Sequence, residues 1–305
     1  MQPANNILLV RPSGFVFNSQ TAASNAFQRS VEMAPEGIAC RAKEEFDAFA
    51  ARLRSEGLNV FVFDDTDEPP KPDAVFPNNW ITFHADGTVI LYPMQAPNRR
   101  SERRMDIIES LKRDFEIGKI IDLSVHEKED RFLEGTGSIV FDHLNQVAYA
   151  CLSPRTDRAL FTSLCGQIGY RPHYFRACDR RGQPIYHTNV MMCLGAGFAV
   201  VCPDSITDER EAKALLSSLS GNGHEVICIS SEQMERFAGN MLCLSTHRNE
   251  ILLALSESAY ASLHADQRSG LEKYARLLPL AIPTIETVGG GSVRCMIAEI
   301  FCRPR

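Results

Sequence analysis

A hairpin-like stretch that recurs at nearly constant spacing limits the folds open to this chain more than any other feature. "NNWITFHADGTVILYP" begins at Asn78, "GSIVFDHLNQVAYACLSP" at Gly137, "TNVMMCLGAGFAVVCP" at Thr188, "GNMLCLSTHRNEILLALS" at Gly239 and "GSVRCMIAEIFCRPR" at Gly291. Each opens on a small polar residue and one apolar strand; in the first four a turn and a second strand follow. With Asn79, Ser138, Asn189, Asn240 and Ser292 as markers, the steps are 59, 51, 51 and 52 residues. Asp86-Gly87 and Gly195-Ala196-Gly197 supply the backbone freedom that tight turns need.

Helix-like segments follow the first four stretches, beginning "NRRSERRMDIIESL", "TDRALFTSL", "TDEREAKALL" and "DQRSGLEKYA". Strand candidates come next: "GKIIDLS", "HYFRA", "HEVICIS" and "PLAIPTI". The fifth stretch lacks a second strand, but "NILLVRPS" near the start is a strand of the same kind. After it comes a helix from about Gly37 to Ser55, with Phe46, Phe49 and Leu53 on one face, and then "NVFVF". The expected fold is α/β: one domain over residues 1–305, built as a five-fold pseudo-symmetric propeller of ββαβ units. Its ring would be closed by the N- and C-terminal strands, which removes exposed edges. A doubly wound open sheet is the alternative.

A hydrophobic content of 44% with 23% charged residues suits a globular core, and a net charge of −6 argues against a nucleic-acid partner. "MQPANNILLVRPS" lacks the basic start of a secretory signal. The apolar run Val190 to Val201, read as a buried hairpin, is too short to span a membrane. The ten cysteines include no C-x-x-C pair, and their alternation with apolar residues is that of free thiols in a reducing cytoplasm. No ligand pair sits at zinc spacing, so no metal is expected. The glycines of "GTG" and "LGAG" give no full dinucleotide fingerprint and run into strand residues. "RRSERR" reads most simply as a solvated helix start.

In a ring of repeats the loops before the first strands converge. The residues there are Asp73, Asn78 and Asn79, Glu134 in "FLEGTGS", His187 in "YHTNV", "AGN" at 238–240, and Cys295. Singly, a cysteine in an apolar strand is ordinarily core, a lone histidine structural, and a glutamate beside glycines part of a turn. Together, at matching repeat positions, a thiol, an imidazole and a carboxylate are the set that covalent attack on an electrophilic carbon requires.

"DAVFPNN", "APNRR", "LEGTGS", "LSPRTD", "YHTNV" and the late Cys295, in this order, resemble the guanidino-group modifying enzymes of the pentein superfamily. Among them the chain looks like the dimethylarginine dimethylaminohydrolases. The resemblance implies Cys295 as nucleophile, His187 as general acid and base, and Glu134 as a carboxylate holding the reacting nitrogens. It further implies Arg99 and Arg155 on the substrate α-carboxylate, Asp73 at its amino end, and Asn189 among the binding residues. Arg294, next to Cys295, could help to lower the thiol's pKa.

One departure bears on substrate. Arginine-directed relatives carry acids where this chain has Asn78 and Asn79, and "HTN" stands where arginine deiminases have H-x-D. An amide gives up the charge that pairs with a guanidinium but offers a neutral ureido group both donor and acceptor. This favours citrulline, hydrolysed to ornithine, as in the citrulline-utilisation branch of the superfamily. Arginine deiminase, dimethylarginine hydrolysis and amidino transfer are alternatives, as is a catalytically silent binding module. The partner expected is a small amino acid, with neither nucleic acid nor membrane; a second copy in a homodimer is an open expectation. The small polar segment 11–28 is expected to be a lid.

Overall fold

The computed structural model describes residues 3–305. Its strands, in chain order, are β1 (Asn6–Arg11), β2 (Asn59–Asp64), β3 (Ile81–Phe83), β4 (Thr88–Leu91), β5 (Lys119–Asp122), β6 (Val140–Asp142), β7 (Val147–Cys151) and β8 (Arg171–Phe175). They continue as β9 (Met192–Gly195), β10 (Phe198–Val201), β11 (Glu225–Cys228), β12 (Leu242–Ser245), β13 (Ile251–Ser256), β14 (Arg276–Leu280) and β15 (Ala298–Ile300).

One pairing rule repeats. β3 and β4 are antiparallel and β5 returns parallel to β4; β6, β7 and β8 do the same, as do β9 to β11 and β12 to β14. β15 pairs antiparallel with β1, and β2 lies parallel to β1. The strands nearest the two ends of the chain therefore complete one unit. Each parallel return needs a crossover, and a helix supplies it. These helices are Pro35–Ser55, Met105–Leu111, Arg158–Ile168, Glu209–Gly221 and the pair Glu257–Ser262 and Ala265–Glu272. Pro35–Ser55 starts two residues before Gly37, because Pro35 fits the first helical position; its buried stripe includes Phe46, Phe49 and Leu53.

The strand order rules out a doubly wound sheet, but no hydrogen-bonded ring is closed among the described residues. There are three three-stranded sheets and one of six strands, β2-β1-β15-β3-β4-β5, in which β15 and β3 are joined through Ile300 and Phe83. The short first strands meet elsewhere without strand pairing, β6 packing against β9 and β9 against β12.

Three expectations are corrected at the level of elements. The small polar markers do not begin strands: Pro77–Asn79, Gly135–Ser138, Thr188–Met191 and Val293–Met296 are single helical turns that precede them. Cys295 therefore sits in a turn ahead of β15, and residues 190–201 are the end of a turn followed by a hairpin. Four apolar residues are too few to separate a helical period from an alternating one. "PLAIPTI" straddles the end of β14 and the helix Pro283–Gly289, which begins on Pro283. The "RRSERR" run is not a solvated helix start: the 3-10 turn Pro97–Glu102 buries Arg99 and Glu102, and the helix begins only at Met105.

The turns are laced to one another. Thr136 Oγ1 donates to the Asn78 carbonyl at 3.3 Å, Thr188 Oγ1 to the Ser138 carbonyl at 2.5 Å, and Asn240 Nδ2 to the Asn189 carbonyl at 2.9 Å. The Arg294 N–H then donates to Asn240 Oδ1 at 3.0 Å. Each bond ties one unit to the next, and the turns they fix carry the side chains described below.

Candidate active site

Asp73, Asn79, Arg99, Arg155, His187 and Cys295 line one cavity of about 10 Å³, with Phe76, Tyr186, Asn25 and the backbone of Gly289, Gly290 and Gly291. Asn78 does not line it; that side chain turns to Thr136 Oγ1, 3.2 Å away. Asn189 lies against the sulfur, and Glu134 stands behind His187.

Cys295 is 3% exposed. Asn240 Nδ2 donates to its Sγ at 3.3 Å and Asn189 Nδ2 at 3.6 Å, so two of the repeat markers hold the sulfur. Burial pushes the thiol's pKa up; the Ser292 backbone, Asn240, the Arg294 charge and Asn189 pull against it. The Arg294 guanidinium itself is engaged with the Ile297 carbonyl and Glu299.

Glu134 Oε2 meets His187 Nε2 at 2.8 Å, and Oε1 accepts from the Gln95 N–H at 2.9 Å. Burial alone would raise the Glu134 pKa, but Arg155, the His187 hydrogen bond and Arg99 hold it down at about 2. His187 is pushed down to about 4 by burial, against the pull of Glu134. An ionised carboxylate accepts, so the neutral imidazole carries its proton on Nε2 and keeps Nδ1 free to take or give one. Gly137 makes this packing possible: a Cβ there would lie 2.5 Å from Asn79 Nδ2 and 2.7 Å from His187 Nδ1.

Arg99 and Arg155 are both 2% exposed. Arg99 binds Glu102 through Nε and Nη2, each at 2.9 Å, and donates from Nη1 to Asn79 Oδ1 at 2.9 Å. Arg155 stacks over Tyr186, lies 3.5 Å from Glu134, and donates to Ser24 Oγ at 2.7 Å and to the Thr21 carbonyl at 3.2 Å. Asp73 Oδ2 accepts from Asn18 Nδ2 at 2.8 Å, while burial raises the carboxyl's pKa against the charges of Arg99 and Arg155. Asp73 Oδ1 and Asn79 Nδ2 are buried without a partner. A buried acceptor and a buried donor left unpaired in one cavity fit a ligand that brings the complements.

The segment 11–28 packs over this cavity. Asn25 Nδ2 donates to the carbonyls of Gly289 and Gly290 at 3.3 and 3.2 Å. Gly290 has φ +61°, and a Cβ there would lie 2.6 Å from the Gln28 nitrogen, so the glycines make room for this segment rather than only for a substrate. A cavity of about 10 Å³ does not admit an amino acid until the segment moves.

Residues 11–302 match the protein family described as "N,N dimethylarginine dimethylhydrolase, eukaryotic". The chain belongs to this family. The family match agrees with the pentein resemblance read from the motifs. In structure the chain is similar to ArgZ, described as an arginine dihydrolase from the ornithine-ammonia cycle in Cyanobacteria. The TM-score is 0.75 at 16% identity, covering 97% of this chain and 40% of that one. The chain therefore spans about two fifths of that relative's length. The product-bound N-terminal domain of ArgZ matches with a TM-score of 0.76 at 16% identity over 98% of both chains. An S-methyl-L-thiocitrulline adduct of a dimethylarginine dimethylaminohydrolase variant matches with a TM-score of 0.65 at 15% identity, over 98% of this chain and all of that one. These likenesses show the α/β fold. No curated protein matches by sequence.

Against this family background, Glu102, Tyr186 and Asn25 were not singled out from the sequence. Glu102 carried a signal, three residues after Arg99 in a proline-led "PNRRSE", the spacing at which a 3-10 turn stacks side chains. Tyr186 and Asn25 carried none. Among the described residues no group of three or more His, Cys, Asp or Glu could hold a metal ion, and no helix is long and apolar enough to cross a membrane.

Proposed function

We propose that this chain is a cysteine hydrolase that opens the ureido carbon of free citrulline, releasing ornithine, carbon dioxide and ammonia without metal or organic cofactor. One observation carries the choice of substrate. Arg99 occupies Asn79 Oδ1, which leaves the Asn79 N–H2 facing the cavity unpaired. A ureido oxygen accepts from that group, whereas a guanidinium presents only further N–H donors.

In this reading Cys295 passes its proton to His187 Nδ1 and the sulfur attacks the ureido carbon. His187 returns the proton to the departing nitrogen as the C–N bond breaks, leaving a thiocarbamate on the sulfur. Water, deprotonated by His187, then attacks the same carbon; the C–S bond breaks, the thiol is regained, and the carbamate decomposes to amine and carbon dioxide. Asn240 and Asn189 steady the charged sulfur, Glu134 orients His187, Asp73 receives the α-ammonium group, and Arg155 receives the α-carboxylate; Arg99, the other arginine expected there, is instead engaged with Glu102 and Asn79. Segment 11–28 opens to admit the substrate.

A second reading, hydrolysis of arginine to ornithine through the same thiol, is favoured by charge. When Glu102, raised to about 7 by burial, is ionised along with Asp73 and Glu134, the three acids outnumber Arg99 and Arg155 by one negative charge, which a guanidinium would neutralise. Incubation with citrulline, arginine and dimethylarginine separately, followed by quantification of ornithine, citrulline and ammonia, decides between them. Citrulline without ornithine formation would sink the first reading. Asn79→Asp should lower turnover of citrulline at least a hundredfold and cost arginine less, read as kcat/KM for each.

The silent-module alternative is disfavoured by the convergence of Cys295 and His187 on one cavity, with Glu134 bonded to His187 from behind. For the fold, the unit-to-unit hydrogen bonds and the β1–β15 pair support the closed five-fold propeller, as one domain over 1–305. Ten free cysteines support a reducing, cytoplasmic setting.

A further inference from the structure

Glu102 is a buried acid, 3% exposed, that the reaction scheme leaves without a task. It follows Arg99 by three residues in the turn Pro97–Glu102, and its two oxygens take Arg99 Nε and Nη2 at 2.9 Å each. A planar fork gripped on two points has its plane and direction fixed. The remaining nitrogen, Nη1, is thereby aimed at Asn79 and donates to Oδ1 at 2.9 Å. The two ends of a side-chain amide are nearly the same shape, and half a turn exchanges acceptor for donor. The arginine contact removes that freedom: Oδ1 is engaged, and Nδ2 is left buried and unpaired on the side of Gly137 and His187.

We propose that Glu102 is a specificity-determining positioning residue: through Arg99 it holds the Asn79 amide with its N–H2 toward the reacting carbon, and so selects a ureido oxygen over a guanidinium nitrogen. The inference rests on the reading of the cavity as the site for a ureido or guanidino amino acid. Without the carboxylate, Arg99 loses the partner that directs it, and the amide is free to turn its oxygen to the ligand. A guanidinium then gains an acceptor and a ureido oxygen loses its donor. A donor buried against a donor costs about tenfold to a hundredfold in affinity, which sets the size of the selection.

The test reads binding rather than turnover. In a Cys295→Ser background, dissociation constants for citrulline and for arginine are measured by calorimetry with and without Glu102→Gln. Both ligands carry the same α-amino and α-carboxylate groups, so contributions at that end cancel in the ratio. The preference for citrulline should fall at least tenfold in Glu102→Gln. Equal weakening of both ligands, with the ratio kept, would overturn the proposal. In Asn79→Asp, whose carboxylate is unchanged by a flip, adding Glu102→Gln should leave the ratio alone; the same tenfold shift there would also overturn it. Where Glu102→Gln does not fold, Arg99→Lys serves as the second variant, since it keeps the charge but offers no fork, and the same fall is expected. A shifted binding ratio in a protein whose intact form makes no ornithine would sink the citrulline reading and leave this one standing.

Discussion

Gly137 shows how little room single residues leave at this site. Its missing side chain is the space in which Asn79 Nδ2 and the His187 ring face the cavity, and a methyl group there would meet both at under 3 Å. Gly137→Ala should therefore reduce kcat by a hundredfold or more while costing stability only what overpacking costs, about 1–3 kcal/mol. Parallel turnover and thermal-unfolding measurements check it, and kcat within threefold of the parent would contradict the geometry. The residues that resembled family motifs were legible in the sequence because chemistry restricts them: Asp73, Asn79, Arg99, Arg155, His187 and Cys295 all reach the cavity. Asn78 did not, because adjacent residues in a turn diverge and nothing in "NN" says which one looks inward. Tyr186 and Asn25 stayed hidden for a different reason, since each reaches the site through a contact distant in sequence, both with the Gly290 carbonyl.

Among the elements, the segment 11–28 is held by polar bonds to groups that the proposed function assigns to the substrate. Arg155 gives N–H groups to Ser24 and Thr21, and Asp73 accepts from Asn18. A carboxylate and an ammonium group entering the cavity compete for those partners. Ser24→Ala should loosen the closed segment, seen as faster amide exchange across 18–28 in the free enzyme and a smaller difference between free and product-bound protein. Unchanged exchange would show that the apolar contacts, Phe27 on Tyr186 and Phe237, hold it instead. The longer helices were readable because a full apolar stripe and a stop signal coincide, as in Arg158–Ile168 between the Asp157 cap and Gly169 at φ +76°. The one-turn helices that carry the active groups were not, since a four-residue turn has no period to read.

Across the whole molecule the repeat was legible because spacing survives where sequence identity between units does not, and it correctly paired strands nearly three hundred residues apart. Hydrogen-bonded closure of all five units was not, because strands of three or four residues leave their neighbours to side-chain packing. The buried ionisable groups give the assembly a stated acid response. His84 and His187 are held near 4 by burial, below the usual 6.5. Below 6.5 the unfolded chain binds protons that the fold refuses, so each removes about 1.4 kcal/mol per pH unit down to 4. Glu102, raised to about 7 by burial, works in the opposite sense between 7 and its ordinary 4.5. The denaturant midpoint should therefore be lower at pH 5 than at pH 7, and more so in Glu102→Gln; a midpoint that rises on acidification would refute this balance. The pairing of β15 with β1 has one more effect, in the order of synthesis. Cys295 is added long after β1, three residues ahead of the strand that must find it, so a partly made chain holds Asn189, His187 and Arg155 before the thiol that packs among them exists. The Cys295 turn can be fixed in place only in a molecule whose β1 has stayed available to be paired.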